Sequence, residues 1–475
     1  MEQESRAVTQ TLAFSEAEFN LYKFTFLQNA GYVIFLLLFN NFVEICNNGK
    51  EPASNSVLME TSLLFLAVLI GNFWSIYAGF ESDARGHARC IRKSFDYGVI
   101  HGLFLAILPW LTTIIPGIYL YFSVFLAALF QAISSAYVNA SYHAWFVASA
   151  HNLGYQGSLD PYTSRRRLTA NLAWVTIGVL LLSILYFQGS RAPTHLTLSM
   201  AGFAIMLFYF IGSVKSRRLI FSGDLGSFET VGGRLKRVNI ANNCLESFKN
   251  ARMIMLGDRA VLGASTLFVV TWTLGVMVLY FWQKALQGDG SDWNFSKWAG
   301  IIWIGLTAGR IVGNSLAVLP DVAAPNVKAR RLALGAWLAG GSMILFFAWR
   351  FMIHKTEWRF LDMWTLPLAV LLIFVNRIGQ EIVLPFAYAR IHESRHVLIA
   401  QNRASVESLL AVWTTPPLLI TWGMVFMFEK WFHHPATLIV LVFGVLGLLL
   451  VLSSLLNKPL VRAVSDARQV EAKTA

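Results

Sequence analysis

Charge is what this sequence lacks. Only 13% of its 475 residues are Asp, Glu, Lys or Arg, about half the ~25% usual in a soluble domain. Such a chain cannot cover a soluble surface, and a soluble globular domain is excluded. Cysteine is scarce too. Three residues, Cys46, Cys90 and Cys244, stand far apart, which excludes a disulfide framework or a thiolate metal centre. No His, Cys, Asp or Glu spacing suits a metal, and His433-His434-Pro435 reads as a turn. No Walker-type phosphate loop occurs, so ATP-driven transport by this chain alone is not expected. The first residues, MEQESRAVTQTLAFSEAEFN, are polar and acidic. They have no basic segment followed by an apolar core, so no signal peptide is expected and the first span itself directs insertion. No cofactor is implied.

What the chain has is long apolar runs. Hydrophobic residues make up 56% of it, with 16 Trp and 36 Phe, a composition suited to lipid-facing surfaces and aromatic belts. A span needs about 20 apolar residues. Twelve candidates follow in order: 24–46, 57–80, 97–115, 117–142, 168–188, 195–214, 261–284, 298–319, 332–352, 363–389, 400–428 and 435–456. They are too long and too uniformly apolar for barrel strands. The expected fold class is therefore an all-α integral membrane protein with 12 transmembrane helices.

Bases fall in alternate loops. One set holds Arg85, Arg89, Arg92 and Lys93, then Arg165 to Arg167, then Lys215 to Arg259, Lys328 to Arg331, and Arg390 with Arg395. The other set holds Lys50, Arg191, Lys284, Lys297, Lys355 and Lys430, mostly beside acids. Bases favour the cytoplasmic side, so both termini are expected in the cytoplasm. The net charge of +12 is thereby a matter of topology, and no nucleic-acid partner is expected.

The longest connection, 215–260, divides the candidates six and six. Its second half has apolar residues Ile240, Cys244, Leu245, Phe248 and Met253 near helical spacing and suits an amphipathic helix on the inner leaflet. The expected division is 1–214 as an N-terminal six-helix bundle, 215–260 as a cytoplasmic linker, 261–456 as a C-terminal six-helix bundle, and 457–475 as a cytoplasmic tail.

Between the second and third candidates runs Gly79-Phe80-Glu81-Ser82-Asp83-Ala84-Arg85-Gly86-His87-Ala88-Arg89-Cys90. Glycine permits a tight turn where a helix ends, and an acid can accept from the N-terminus of a neighbouring helix. The spacing of Gly79, Asp83, Gly86 and the bases from Arg89 resembles the loop between the second and third helices of the major facilitator superfamily. Here Glu81 replaces the usual apolar residue and Arg85 is shifted by one. The eighth candidate ends in a degenerate echo, with Gly313 where Gly79 stands and Ala317 where Asp83 stands. The resemblance implies two pseudo-symmetric six-helix bundles, with the first, fourth, seventh and tenth helices lining a cavity. It also implies that Gly79, Asp83, Gly86 and Arg89 form a conformational loop.

Polar groups within the spans are costly and so informative. The first carries Asn41 and Glu44; the fourth carries Gln131 and Asn139; the eighth has Trp303, Thr307, Arg310 and Asn314 on one face. The tenth carries Asn376, Arg377, Gln380 and Glu381, two pairs at i,i+4. Arg377 and Glu381 are read as a pair, either binding an anionic substrate group and a proton or bracing the tenth helix. Arg310 either binds substrate or braces the eighth helix. Glu44 is a candidate proton site or a residue of the outer mouth. Arg403 and Glu407, near the inner end of the eleventh span, are read as part of an inner gate packing against the Asp83 loop. Pro416-Pro417 remove two backbone donors within that span and imply a kink.

The expected function is secondary active transport of a small organic solute, anionic, zwitterionic or amphiphilic, coupled to protons. The alternative is a lipid or amphiphile flippase on the same fold. A membrane-embedded transferase ranks lower, since His143 and His151 near Asp160 are its best catalytic set. The partners expected are the solute, protons and membrane lipid. The expected state is a monomer in a bacterial inner membrane.

Overall fold

The computed structural model describes residues 2–45, 56–112, 114–115, 117–152, 160–187, 194–221, 249, 252–253, 256–257, 259–287, 295–318, 325–355, 359–392, 403–432 and 439–455. Those residues are almost entirely helical. The helices are α1 (Glu2–Glu44), α2 (Ser56–Arg85), α3 (His87–Leu111), α4 (Gly117–Asn152), α5 (Asp160–Phe187) and α6 (His195–Phe221). They continue with α7 (Arg259–Gln287), α8 (Phe295–Val318), α9 (Pro325–Lys355) and α10 (Arg359–His392). The last are α11 (Arg403–Trp413), α12 (Thr415–Phe432) and α13 (Ile439–Leu455).

Eight stretches among the described residues are long and apolar enough to cross a membrane: Ser15–Phe39, His87–Leu111, Tyr119–Phe146, His195–Arg217, Val261–Leu279, Arg330–Met352, Pro367–Tyr388 and Ser408–Val425. Backbone polar groups in lipid must be satisfied within the chain, which helices do. The expected second, fifth, eighth and twelfth spans coincide with α2, α5, α8 and α13, which are helical but fall short by the same measure. The expected eleventh span is interrupted. α11 ends at Trp413 and α12 starts at Thr415, which puts Pro416 and Pro417 in the first turn of a new helix. Missing N–H groups cost nothing there, so the break comes just before the prolines rather than at them. The expected linker helix falls almost wholly outside the described residues.

The chain divides into two compact units. One is Met1–Arg252 with Ala400–Val412; the other is Met253–Ile399 with Trp413–Ala475. In the first unit α4 packs on α1, α2 and α3, α6 packs on α1 and α3, and α5 packs on α1. Small residues permit the closest of these approaches. Tyr209 of α6 fills the space left by Gly31 of α1 and Gly98 of α3. Its hydroxyl donates to Gln131 Oε1 at 2.9 Å.

In the second unit α10 packs on α7, α8 and α9, and α12 packs on α7. The fourth helix of the first unit and α10 thus hold equivalent places. The likeness extends to the crossings. A Cβ on Gly71 of α2 would lie 2.7 Å from Ala132 Cβ of α4, and one on Gly309 of α8 would lie 2.9 Å from the Phe374 carbonyl of α10.

Candidate functional site

Gly309 and Gly313 let α8 meet α10 backbone to backbone. A Cβ on Gly313 would stand 2.5 Å from the Ile378 carbonyl and 2.9 Å from Glu381 Cβ. At that separation a side chain on one helix reaches the next without extending. Arg310 Nε donates to Glu381 Oε1 at 2.9 Å. Glu381 is buried, and Arg310 keeps 21% of its side chain exposed. The sequence reading paired Glu381 with Arg377 on its own helix. The observed ion pair instead joins α10 to α8.

Arg377 is buried at 7% exposure and is held by neutral groups. Its Nη1 donates to Gln380 Oε1 at 2.7 Å, and its Nη2 donates to the Gly275 carbonyl of α7 at 3.1 Å. Gln380 Nε2 donates to Asn376 Oδ1 at 2.6 Å, and Asn376 Nδ2 donates to the Ala339 carbonyl of α9 at 2.7 Å. A continuous hydrogen-bond line therefore crosses α10 from α9 to α7. Two features are left over. Arg377 Nε is buried without a partner among the described residues, as are both amide atoms of Asn314. Asn314 is wholly buried and stands one turn past Arg310. All four α10 residues singled out from sequence, with Arg310 and Asn314, thus lie at the packing of α10 with its three neighbours.

The first unit differs. Gln131 is buried, but Tyr209 occupies its Oε1. Gln28 donates to Ser134 Oγ at 3.2 Å, and Ser134 Oγ donates to the Ser94 carbonyl at 2.7 Å. Trp174 Nε1 donates to Asn29 Oδ1 at 2.9 Å. These bonds tie α1, α3, α4, α5 and α6 together as a brace. Asn139 is exposed although it shares the face of Gln131, and Asn41 is half-buried. The side chain of Glu44 lies outside the described residues.

At the α2–α3 corner the expected turn at Gly79 is not made. Gly79 is buried inside α2, which runs on to Arg85. The turn comes at Gly86, with φ 97°, in the region that favours glycine. Its N–H donates to the Ser82 carbonyl at 3.1 Å. Arg89 is exposed. The side chains of Asp83, Arg403 and Glu407 lie outside the described residues.

The acid that organises this corner is Glu81, passed over in the sequence as a departure from the motif. It is 3% exposed. Its Oε1 accepts from Arg85 at 2.8 Å and from Lys93 of α3 at 2.5 Å, and its Oε2 accepts from Tyr137 of α4 at 2.8 Å. Glu81 lies just beyond the expected span of 57–80. Burial pushes its carboxyl up, but the hydrogen bonds from Lys93, Tyr137 and Arg85 outweigh burial and hold it below the ordinary value. The signal was an acid four residues before Arg85, the spacing of a helical ion pair.

Arg165 and Arg166 of α5 stand near the same corner. Phe95 lies against Tyr142, Arg166 lies over the Tyr142 ring at 5.7 Å, and Arg165 pairs with Glu18 at 3.1 Å.

With these apolar helices among the described residues, and with an ion pair and amides buried between them, the chain is a multi-pass integral membrane protein. Its fold is that of the major facilitator superfamily. No family model matches the sequence, and no curated protein matches it. Solved structures do. The human organic anion transporter MFSD10 (TETRAN) superposes with a TM-score of 0.59 at 13% identity, over 93% of this chain and 99% of that one. A bacterial homologue of the iron transporter ferroportin, outward-facing with soaked iron, gives 0.62 at 12% identity over 92% and 98%. The proton:xylose symporter XylE of the major facilitator superfamily, bound to 6-bromo-6-deoxy-D-glucose, gives 0.59 at 12% identity over 96% of each chain. The resemblance read from the Gly79–Arg89 loop is thus borne out by the whole fold.

Proposed function

We propose that this chain is a secondary active transporter that moves a small organic solute by alternating access, coupled to protons. It is not an enzyme on this reading. The observation that carries it is the buried Arg310–Glu381 pair beside Arg377. Ionisable groups within a membrane are costly and mark transport pathways. Glu381 carries the proton, and Arg310 is its alternating partner. Arg377, Gln380, Asn376 and Asn314 supply polar groups to the solute in the second unit; within the first unit the candidates are Asn41, Asn139 and Glu44, with Gln131 already holding Tyr209.

The α2–α3 corner, with Gly79, Asp83, Gly86 and Arg89, works with Arg403 and Glu407 as the conformational gate. The basic end of the first unit faces the cytoplasm, and the protein acts as a monomer. That its structural neighbours include an organic anion transporter, a homologue of an iron transporter and a proton:xylose symporter supports transport as the common activity.

The test is uptake into proteoliposomes under an imposed pH gradient, comparing wild type with Glu381→Gln. Proton-driven uptake that the variant loses, with solute exchange retained, is the expected result. Equal uptake by both proteins removes Glu381 from the coupling.

A further inference from the structure

Two helix faces of the first unit are open along their length, and both end the same way. On α6 the exposed residues Phe203, Leu207, Phe210 and Val214 follow at intervals of four, three and four, the spacing of a single helical face. Three residues on, that face carries Arg217, also exposed. On α3 the open face runs back from Ile107 through Leu103 and Ile100 to Asp96 and Arg92 at intervals of three and four. Arg89, exposed, stands one turn further.

The two faces lie side by side. α3 and α6 run antiparallel and meet at small residues. The Met206 backbone fills the place of a side chain on Gly102, and the Phe95 ring fills that on Gly212. Ser213 Oγ donates to Asp96 Oδ1 at 2.5 Å and sets the register of the basic end. Arg92 stands one turn beyond Asp96, and Arg217 one turn beyond Ser213. The two arginines are therefore at one level, on either side of the α3–α6 seam.

Arg92 is steered by its own helix but keeps donors to offer. Its Nε lies 3.6 Å from Asp96 Oδ2, too far for a hydrogen bond. That Nε is buried without a hydrogen-bond partner among the described residues. Asp96 is half-exposed and gives its other oxygen to Ser213. Lys93 is committed to Glu81. Lys215, exposed two residues before Arg217, adds a further base. Arg89, Arg92, Lys215 and Arg217 thus outnumber the one acid, Asp96, at the end of an apolar wall.

The wall has the height of a bilayer. From Arg92 to the exposed Trp110 of α3 the rise is about 27 Å, close to the ~30 Å of the hydrocarbon layer. Acyl chains cover such a wall, and lipid phosphates stand at the level of its arginines. A guanidinium fork fits phosphate oxygens. An excess of bases selects headgroups that bring no cation of their own.

We propose that the α3–α6 seam binds an anionic glycerophospholipid, with the phosphate on Arg92 and Arg217 and the chains along the two apolar faces. The site goes beyond the transport reading and does not depend on it.

The test is native mass spectrometry of the purified full chain in detergent, titrated with phosphatidylglycerol or with phosphatidylcholine of the same acyl chains. Phosphatidylglycerol should bind about tenfold more tightly. Arg92→Gln and Arg217→Gln should each weaken it by about fivefold, the worth of one base at an anionic headgroup, and leave phosphatidylcholine unchanged. Arg165→Gln is the control. It removes a base of α5 that pairs with Glu18 of α1, and the preference should survive it. Glycerol 3-phosphate should not displace the bound phosphatidylglycerol, since it has no chains to lay on the wall.

Equal binding of the two lipids overturns the proposal by removing the preference for an anion. An equal loss in Arg165→Gln overturns it by reducing the site to diffuse surface charge. Displacement by glycerol 3-phosphate overturns it by making the ligand a soluble phosphate. Arg217 is exposed, so Arg217→Gln decides alone if Arg92→Gln does not fold.

Discussion

Arg310 of α8 and Glu381 of α10 form an ion pair at 2.9 Å between Gly309 and Gly313, where glycine removes the side chains that would hold their helices apart. The pair is shared between elements far apart in sequence, so each residue depends on the other's register. Removing one partner should therefore cost more than removing both. Arg310→Gln removes the α8 cation from a buried carboxylate and should destabilise the protein by about 3–5 kcal/mol. The double variant Arg310→Gln with Glu381→Gln should recover at least about 1 kcal/mol of that loss. Thermal unfolding of the four proteins in detergent measures the coupling. Additive losses would show that the two side chains do not support one another.

Gly313 should tolerate no side chain. A Cβ there meets the Ile378 carbonyl at 2.5 Å, and a backbone atom cannot turn aside as a side chain can. Gly313→Ala should lower stability by about 1–3 kcal/mol, the range for overpacking. Gly341, where a Cβ meets nothing within 4 Å, is the control. Gly341→Ala should be neutral or slightly stabilising, because alanine is the better helix former. Equal melting temperatures for the two variants would show that α8 and α10 are not in close contact.

The fold and much of this site were legible in the sequence, to different depths. Long apolar runs gave the helices, and spacing on α10 put Asn376, Arg377, Gln380 and Glu381 together. Spacing within one helix says nothing of the register between helices, which is why Glu381 was paired with Arg377 rather than with Arg310. Gln131 and Asn139 share a face by periodicity, yet one is buried and the other exposed. The neighbour that makes the difference is Tyr209 on α6, 78 residues from Gln131. Glu81 was missed because a motif supplied the expectation and the acid stood where that motif has an apolar residue. Its own spacing to Arg85 was the better guide.

Gly86 should resist substitution for a conformational reason. At φ 97° any L side chain is strained, at about 1–3 kcal/mol. Gly86→Ala should lower the melting temperature, while Ala88→Gly, two residues on in α3, should cost only the ~1 kcal/mol of a helical glycine. If Gly86→Ala melts with wild type, the corner does not hold the left-handed turn.

Glu81 should act as a pH-dependent tie for the α2–α3–α4 corner. Its carboxyl is held below the ordinary value of 4.5. A group whose value is lowered on folding binds fewer protons in the folded state than in the unfolded state, so its contribution is full above 4.5 and falls away as acidity reaches the folded value. Glu81→Gln keeps the shape and removes the charge that Lys93 and Arg85 share. The variant should be less stable than wild type by about 1–3 kcal/mol at neutral pH, the range for a buried group losing charged hydrogen bonds. That gap should stay constant from neutral pH down to about pH 5 and narrow below pH 4.5, because wild type then loses the same charge. Tyr137→Phe removes the one neutral donor to Glu81; its effect should be smaller and should narrow over the same acid range. Melting curves of the three proteins across pH 3.5–7 make the measurement. A gap for Glu81→Gln that does not change with pH would mean that the amide is penalised for its shape and that the carboxylate charge is not what ties the corner.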